Sequence, residues 1–256
     1  MEISIPQVSE HGLKRERSGQ SVSKSATVGQ VVAGFKLEDE VALATAEPQF
    51  PAPRQFPIAA KRVLDYALAG VGLVLLLPAF AVVSTVIAVA SPGPIFFSQE
   101  RVGKRGRMFR IFKFRTMVVG AESQRQGLHG RNMYGDSKLF KVSADPRVTR
   151  IGRVLRRTSI DELPQLLNVL RGEMSLVGPR PPLPDEVANY EPRHLARLEV
   201  LPGITGPWQV AGRNEIVSFE RVFLLEAEYL QSWSLMSDLK ILLRTIPVVL
   251  RMRGAH

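Results

Sequence analysis

The 256-residue chain contains no cysteine. A disulfide framework, a Cys-ligated zinc site, an iron–sulfur cluster and a thiol nucleophile are therefore all excluded. Histidine is nearly as scarce, at four residues, which leaves little material for a His-rich metal site. Aromatic residues make up only 7%, and no recognised nucleic-acid motif accompanies the basic charge, so no nucleic-acid partner is expected. The chemistry that remains is that of carboxylates, arginines and lysines. At 45% hydrophobic and 23% charged residues the composition is that of a folded protein, long enough for one large domain or two small ones.

The charge is unevenly spread. Residues 1–60 hold 6 Lys and Arg against 7 Asp and Glu, whereas residues 61–256 hold 28 against 17. A basic body suggests anionic partners such as phosphates or an anionic membrane face. Residues 1–57 have no sustained period of 2 or 3.6 and close on Pro48, Pro51, Pro53 and Pro57. They read as a disordered or loosely ordered N-terminal tail. No apolar stretch follows their early basic cluster, so they do not read as a secretory signal.

Tyr66 to Ala90 are 25 consecutive positions without a charge. At 1.5 Å per residue a straight helix of that length reaches ~37 Å, enough to cross a ~30 Å hydrocarbon core. Pro78 lies at its midpoint and removes a helical hydrogen bond. Basic residues flank it on both sides: Lys61 and Arg62 before, then seven Lys and Arg from Arg101 to Arg115. Positive charge favours the cytoplasmic side, so both ends favour the same side. A re-entrant helix satisfies both features. A kinked spanning helix and a buried helix of a soluble core are the other readings.

Beyond the Ser91–Pro94 turn, Ile95–Gln99 and Met108–Arg115 read as two strands joined by a basic, Gly-containing hairpin over Arg101–Arg107. Residues 120–145 read as a loop or lid with a short helix. Arg147–Arg157 reads as a basic amphipathic helix, suited to a membrane surface, an anionic substrate or plain solvent. Helical periods return from Ser218 and again over Leu235–Leu250, which Pro247 is expected to interrupt. That last helix fits either a membrane interface or the domain core.

The segment Ser159-Ile160-Asp161-Glu162-Leu163-Pro164-Gln165 has two readings. Ser159 and Glu162 have the spacing of a capping box. Alternatively, Asp161 and Glu162 are a carboxylate pair able to hold Mg²⁺ or to attack phosphorus, with neighbouring arginines stabilising phosphoryl charge. Arg180, locked between Pro179 and Pro181, is either a preorganised phosphate ligand or part of a rigid surface loop. Pro202–Asn214 is a second Gly-rich loop carrying Trp208 and Arg213. It is not a P-loop, because no Gly-Lys-Ser/Thr occurs in it.

Together these segments carry a resemblance. The sequences Lys61-Arg62-Val63-Leu64-Asp65, Phe112-Lys113-Phe114-Arg115-Thr116-Met117 and Ser159–Gln165 stand in this order. Asn168–Ser175, Val177-Gly178-Pro179-Arg180-Pro181, Pro202–Gly206 and Gly212-Arg213-Asn214 follow them. From about Lys61 to Arg253 the chain resembles the bacterial sugar transferases, or monotopic phosphoglycosyl transferases, of the exopolysaccharide- or O-antigen-initiating type.

The resemblance implies transfer of a sugar-1-phosphate from a UDP-sugar to undecaprenyl phosphate, with release of UMP. The Trp in Gly206-Pro207-Trp208-Gln209 suggests galactose or glucose as the sugar. It also implies that Asp161 is the nucleophile and Mg²⁺ ligand, with Glu162 assisting. Arg180, Arg213, Arg156, Lys113 and Arg115 fall near phosphate or nucleotide, and Lys61, Arg62, Asp65 and Pro78 belong to the membrane anchor. Where some relatives have Ser-Pro at the break, this chain has Leu77-Pro78.

The expected architecture is α+β. Residues 1–57 form the tail, 58–92 a re-entrant, Pro-broken membrane helix, and 93–256 a mainly helical catalytic domain with a small β-sheet and interfacial amphipathic helices. The module is expected to stand alone, monotopic on the bacterial inner membrane, with its catalytic domain on the cytoplasmic side. A second copy of the chain and downstream glycosyltransferases are the protein partners left open. The competing reading is a non-catalytic membrane-anchored scaffold that binds anionic lipid or polymer.

Overall fold

The computed structural model describes residues 58–134, 138–212 and 216–250. The expected N-terminal tail, 1–57, lies outside the described residues, as does Arg213.

The apolar run forms one helix of 33 residues, α1 (Ile58–Ala90). Among the described residues it is the one helix long and apolar enough to cross a membrane. The expected break at Pro78 is not seen: the proline costs one backbone hydrogen bond, and the helix runs through it. One stripe of α1 faces the rest of the protein along its whole length. Asp65, Ala69 and Ile87 are buried, Leu73 and Leu76 pack on one hydrophobic cluster, and Phe80 and Val83 pack on another. The spacing of 3 and 4 is that of a single helix face. Val63, Val71, Val74, Leu75, Leu77, Val82, Val86 and Val89 point away and are exposed.

Both ends of α1 are tied to the domain. Lys61 Nζ donates to Asp238 Oδ2 at 2.6 Å and to the Val177 carbonyl at 3.1 Å. Arg62 donates to the Gly172 carbonyl at 3.3 Å, and Asp65 Oδ1 accepts from the Leu176 amide at 3.1 Å. At the far end Arg115 donates to the carbonyls of Ser91 at 2.5 Å and Pro92 at 3.0 Å. The polar residues of the N-terminal anchor motif thus fasten the helix to its own domain.

The expected hairpin is present. Strands β1 (Phe96–Val102) and β2 (Met108–Phe114) pair antiparallel, with Phe96 opposite Phe114 and Val102 opposite Met108. The turn is tighter than the sequence suggests, because Arg105 and Gly106 both take positive φ, and this brings Arg101 and Val102 into the ladder.

Helix α2 (Arg150–Thr158) begins three residues later than its basic periodicity suggests. Arg147 is instead folded back in a bidentate pair with Asp145, and Thr149 caps the helix by accepting from the Gly152 amide at 2.9 Å. Gly152 lies flush against Thr116, where an added Cβ would stand 1.9 Å from the Thr116 carbonyl oxygen. This close approach sets α2 on the segment that follows β2.

A 3-10 turn, Ile160–Gln165, leads into α3 (Leu166–Leu170), which ends at Gly172 with φ +77°. Strand β3 (Ser175–Val177) runs parallel to β4 (Gly203–Thr205). Around them lie α4 (Pro184–Val187), α5 (Pro207–Ala211), α6 (Phe219–Gln231) and α7 (Leu235–Leu250). Ser218 caps α6, its side chain accepting from the Arg221 amide. The expected interruption of α7 at Pro247 does not occur: the helix runs through it. A proline three residues from a helix end removes only one late hydrogen bond.

The main core joins α1, β2, α3, β3, α6 and α7 through Ala69, Ile111, Val169, Met174, Val177, Tyr229 and Ile241. The architecture is α+β, mainly helical with two small sheets, and carries the long apolar helix on one side.

Candidate active site

Ser159 ends α2 in the left-handed conformation, with φ 56° and ψ 15°, and the chain folds back at once into the 3-10 turn. An N-cap needs extended backbone, and Ser159 makes no side-chain cap hydrogen bond. The capping box read from the sequence is therefore not formed. Glu162 reaches across to β2, where its Oε1 accepts from Lys113 Nζ at 2.6 Å.

Asp161 points inward and is 6% exposed. Burial pushes its pKa up to about 6, against the pull of Lys113, with the adjacent Glu162 adding to the rise and Arg156 opposing it. Arg156 is held by a 2.9 Å bond from its Nε to Thr116 Oγ1. Burial lowers its own pKa, and Asp161 offsets that in part. A carboxylate, a lysine and an arginine thus meet at the junction of β2, α2 and the 3-10 turn.

They open onto a cavity of about 760 Å³, within the usual range of ligand pockets. Its lining includes Lys113, Arg115, Arg156, Asp161, Glu162 and Arg180. Six of the seven site residues expected from the sequence therefore share one cavity, and the seventh, Arg213, lies outside the described residues. The guanidinium of Arg115 is committed to the carbonyls that end α1.

Arg180 is presented by a fixed loop. Its amide donates to Glu226 Oε1 at 3.3 Å, and its carbonyl accepts from Arg197 at 3.4 Å. Its side chain stands 3.7 Å from Glu186 Oε2, and Nη1 is buried with no hydrogen-bond partner among the described residues.

Arg101 also lines the cavity, and sequence reading missed it. It is buried, donating Nη1 to the Pro181 carbonyl at 3.0 Å and Nη2 to Gln99 at 2.8 Å. Burial, together with the nearby Arg180, lowers its pKa to about 10. In the sequence it looks like one of seven solvated cations around a turn. Only the register of the hairpin places it inside.

Among the described residues no three His, Cys, Asp or Glu side chains converge on one point. Asp161 and Glu162 are adjacent carboxylates that both line the cavity.

Comparison with known proteins gives a consistent picture. The family model described as bacterial sugar transferase matches residues 56–252. The chain is 47% identical over 196 residues to the galactosyl transferase CpsE of Streptococcus agalactiae serotype III, covering 77% of this chain and 43% of that protein. It is 40% identical over 200 residues to the exopolysaccharide production protein ExoY of Rhizobium meliloti, covering 77% and 88%. It is 42% identical over 221 residues to the UDP-glucose:undecaprenyl-phosphate glucose-1-phosphate transferase of Caulobacter vibrioides, covering 84% and 78%. The chain thus spans less than half of the streptococcal relative and most of the other two.

Proposed function

The chain belongs to the bacterial sugar transferases, and from that membership we propose that it moves a sugar-1-phosphate from a UDP-sugar onto undecaprenyl phosphate. The product would serve as the first membrane-bound intermediate of exopolysaccharide or O-antigen synthesis. A galactose or glucose donor agrees with the names of the relatives. The observation that carries the reading is Asp161, a buried carboxylate beside Lys113 and Arg156 in the lining of a large cavity.

In the proposed first step an Asp161 carboxylate oxygen attacks the phosphorus that bears the sugar. The new Asp161 O–P bond forms as the bond from that phosphorus to the bridging oxygen breaks, and UMP leaves with the bridging electron pair. In the second step a phosphate oxygen of undecaprenyl phosphate attacks the same phosphorus. The Asp161 O–P bond breaks, and the carboxylate is restored. With a pKa of about 6, Asp161 is mostly ionised at neutral pH. Burial strips it of the water that would otherwise blunt its attack. Lys113 and Arg156 are placed to stabilise charge on the phosphoryl oxygens.

Mg²⁺ fits this donor set. It commonly uses one or two protein carboxylates and completes its shell with water and substrate phosphate, and the dyad supplies two carboxylates. Asp161 and Glu162 would hold it, and when bound it would neutralise diphosphate charge.

The membrane arrangement follows from α1. A helix crossing the bilayer upright leaves its domain after a turn or two, whereas α1 keeps a contact stripe from Asp65 to Ile87 and has both ends fastened to one domain. This supports a monotopic anchor that turns its other face to the lipid; the proposed re-entrant bend would fall at Pro78. Basic residues at both ends favour the cytoplasmic side of the inner membrane.

The test is UMP release from a panel of UDP-sugars by the purified chain with undecaprenyl phosphate and Mg²⁺, alongside Asp161→Asn. One active sugar, an inactive variant and a phosphosugar trapped on Asp161 are expected. A folded wild type that releases no UMP from any sugar would leave the scaffold reading in its place.

A further inference from the structure

The cavity has two unlike ends. One is polar and cationic, walled by Arg101, Arg180 and Gln99. The other is an apolar mouth formed by Phe96, Phe97, Val118 and Val119. These side chains are 49%, 37%, 41% and 65% exposed, a concentration of bare apolar surface around an opening that leads to charged groups. Resting on the transferase reading above, we propose that this mouth is the route of the acceptor's prenyl chain. The chain runs over Phe97, Val118 and Val119 while its phosphate sits at Lys113 and Arg156.

Three observations support the assignment. The mouth is continuous with the end of the membrane helix. Gly93 lies just past that end, where a Cβ would stand 2.8 Å from Val119 Cγ2 and 2.2 Å from the guanidinium of Arg115. Arg115 in turn clamps the Ser91 and Pro92 carbonyls. An apolar chain leaving over Val119 therefore meets the C-terminal end of α1.

The mouth is also braced from the anchor side. Phe80 of α1 packs on Phe114 with ring centroids 5.1 Å apart, and Phe114 stacks on Phe96 at 5.3 Å. An aromatic column thus runs from just past Pro78 to the cavity wall.

Finally, Phe97 stands directly across the hairpin from Lys113. Cross-strand partners share a face and lie within side-chain contact. A lipid phosphate at the Lys113 ammonium would thus have its first isoprene units beside Phe97. The opposite end suits the nucleotide, because an apolar chain there would strip Arg101 and Arg180 of polar surroundings without replacing them.

The rival exit runs past Ile204, Thr245 and Val249, beside the exposed Leu243 and Ile246 of α7. Val119→Ser, Phe97→Ser and Val249→Ser separate the two. Val119 is exposed enough that its change leaves the fold intact.

In lipid nanodiscs, retention of a fluorescent long-chain prenyl phosphate, measured without any UDP-sugar, should weaken about tenfold in the Val119→Ser/Phe97→Ser variant. Retention should be unchanged in Val249→Ser. In turnover, the same double variant should raise KM for undecaprenyl phosphate about tenfold. KM for the UDP-sugar and the UMP burst without acceptor should stay as in wild type. The preference for a long over a ten-carbon prenyl phosphate should narrow. Unchanged retention in the double variant, or weakening in Val249→Ser alone, would overturn the proposal. Absence of UMP release in wild type would overturn the transferase reading, and the retention measurement would still decide the lipid route.

Discussion

Asp161 and Glu226 are both buried carboxylates with arginine nearby, and they are held in opposite ways. Glu226 is fully matched. Its Oε2 accepts from Arg197 Nε at 2.5 Å, and its Oε1 accepts from Arg197 Nη2 at 3.1 Å and from the Arg180 amide at 3.3 Å. Burial would lower the pKa of Arg197, but Glu226 and Tyr190 carry it well above its ordinary value. Asp161 is surrounded by cations already engaged elsewhere, Lys113 with Glu162 and Arg156 with Thr116, so burial prevails and its pKa rises to about 6. The matched pair fixes the backbone that carries Arg180. The unmatched carboxylate keeps its reactivity.

The comparison is broken most sharply by Asp161→Asn. It should lower UMP release at least ~10³-fold, as loss of a covalent nucleophile does. It should not destabilise the protein. A carboxyl whose folded pKa lies above its ordinary value of 3.8 binds its proton more tightly when folded. Stability from this group is therefore present at low pH and is lost as pH rises from about 4 through about 6. The amide removes that penalty, and at pH 7.5 the thermal midpoint should rise by about 2–4 °C. A lower midpoint would show that Asp161 is a matched structural group after all.

Arg197→Met should do the reverse. It leaves Glu226 buried without its partner, a change that typically costs about 3–5 kcal/mol. Denaturant unfolding should show that loss. Glu226→Gln in the same chain should restore part of it, because the uncompensated charge is then gone.

Lys113→Met sharpens the other side. Lys113 is the leading group that draws the Asp161 pKa down against burial. With wild type, kcat/KM should fall as pH drops through about 6, as Asp161 takes up its proton. Without Lys113 that acid limb should move to higher pH, and the rate at neutral pH should fall by about 10²-fold. A lower rate with an unmoved limb would assign Lys113 to the phosphate alone.

Much of this was legible in the sequence, for identifiable reasons. The apolar run, the hairpin with its Gly-containing turn and the helical period from Ser218 are local signals, and the fold repeats them. The carboxylate pair and its lysine and arginine partners were legible as a constellation of motifs. What the sequence hid is long-range. Lys61 and Asp65 look like membrane-flanking charges, yet they are bonded to Asp238 and Leu176. Ser159 and Glu162 have capping-box spacing, but left-handed backbone at Ser159 turns the segment into something else. Arg197, Glu226 and Glu186 gave no motif at all, because each acts through a partner distant in sequence.

Arg101 was hidden for the same reason, and it gives the smallest expected effect. One donated bond joins β1 to the Pro181 carbonyl, the other goes to Gln99 of the same strand, and its charge stands close enough to Arg180 to lower its own pKa. At about 10 that pKa still leaves it cationic at neutral pH. Arg101 thus steadies the Pro-Arg-Pro loop by one bond and repels the Arg180 side chain. Lysine keeps the charge and loses the fork that reaches both acceptors. Arg101→Lys should therefore raise KM for the UDP-sugar by about tenfold or less, the scale of one charge-assisted hydrogen bond. KM for undecaprenyl phosphate and the pH limb set by Asp161 should not move. A matched rise in both KM values would mean that the loop had come apart as a whole, and Arg101 would then belong with Arg197 as a fold-holding group.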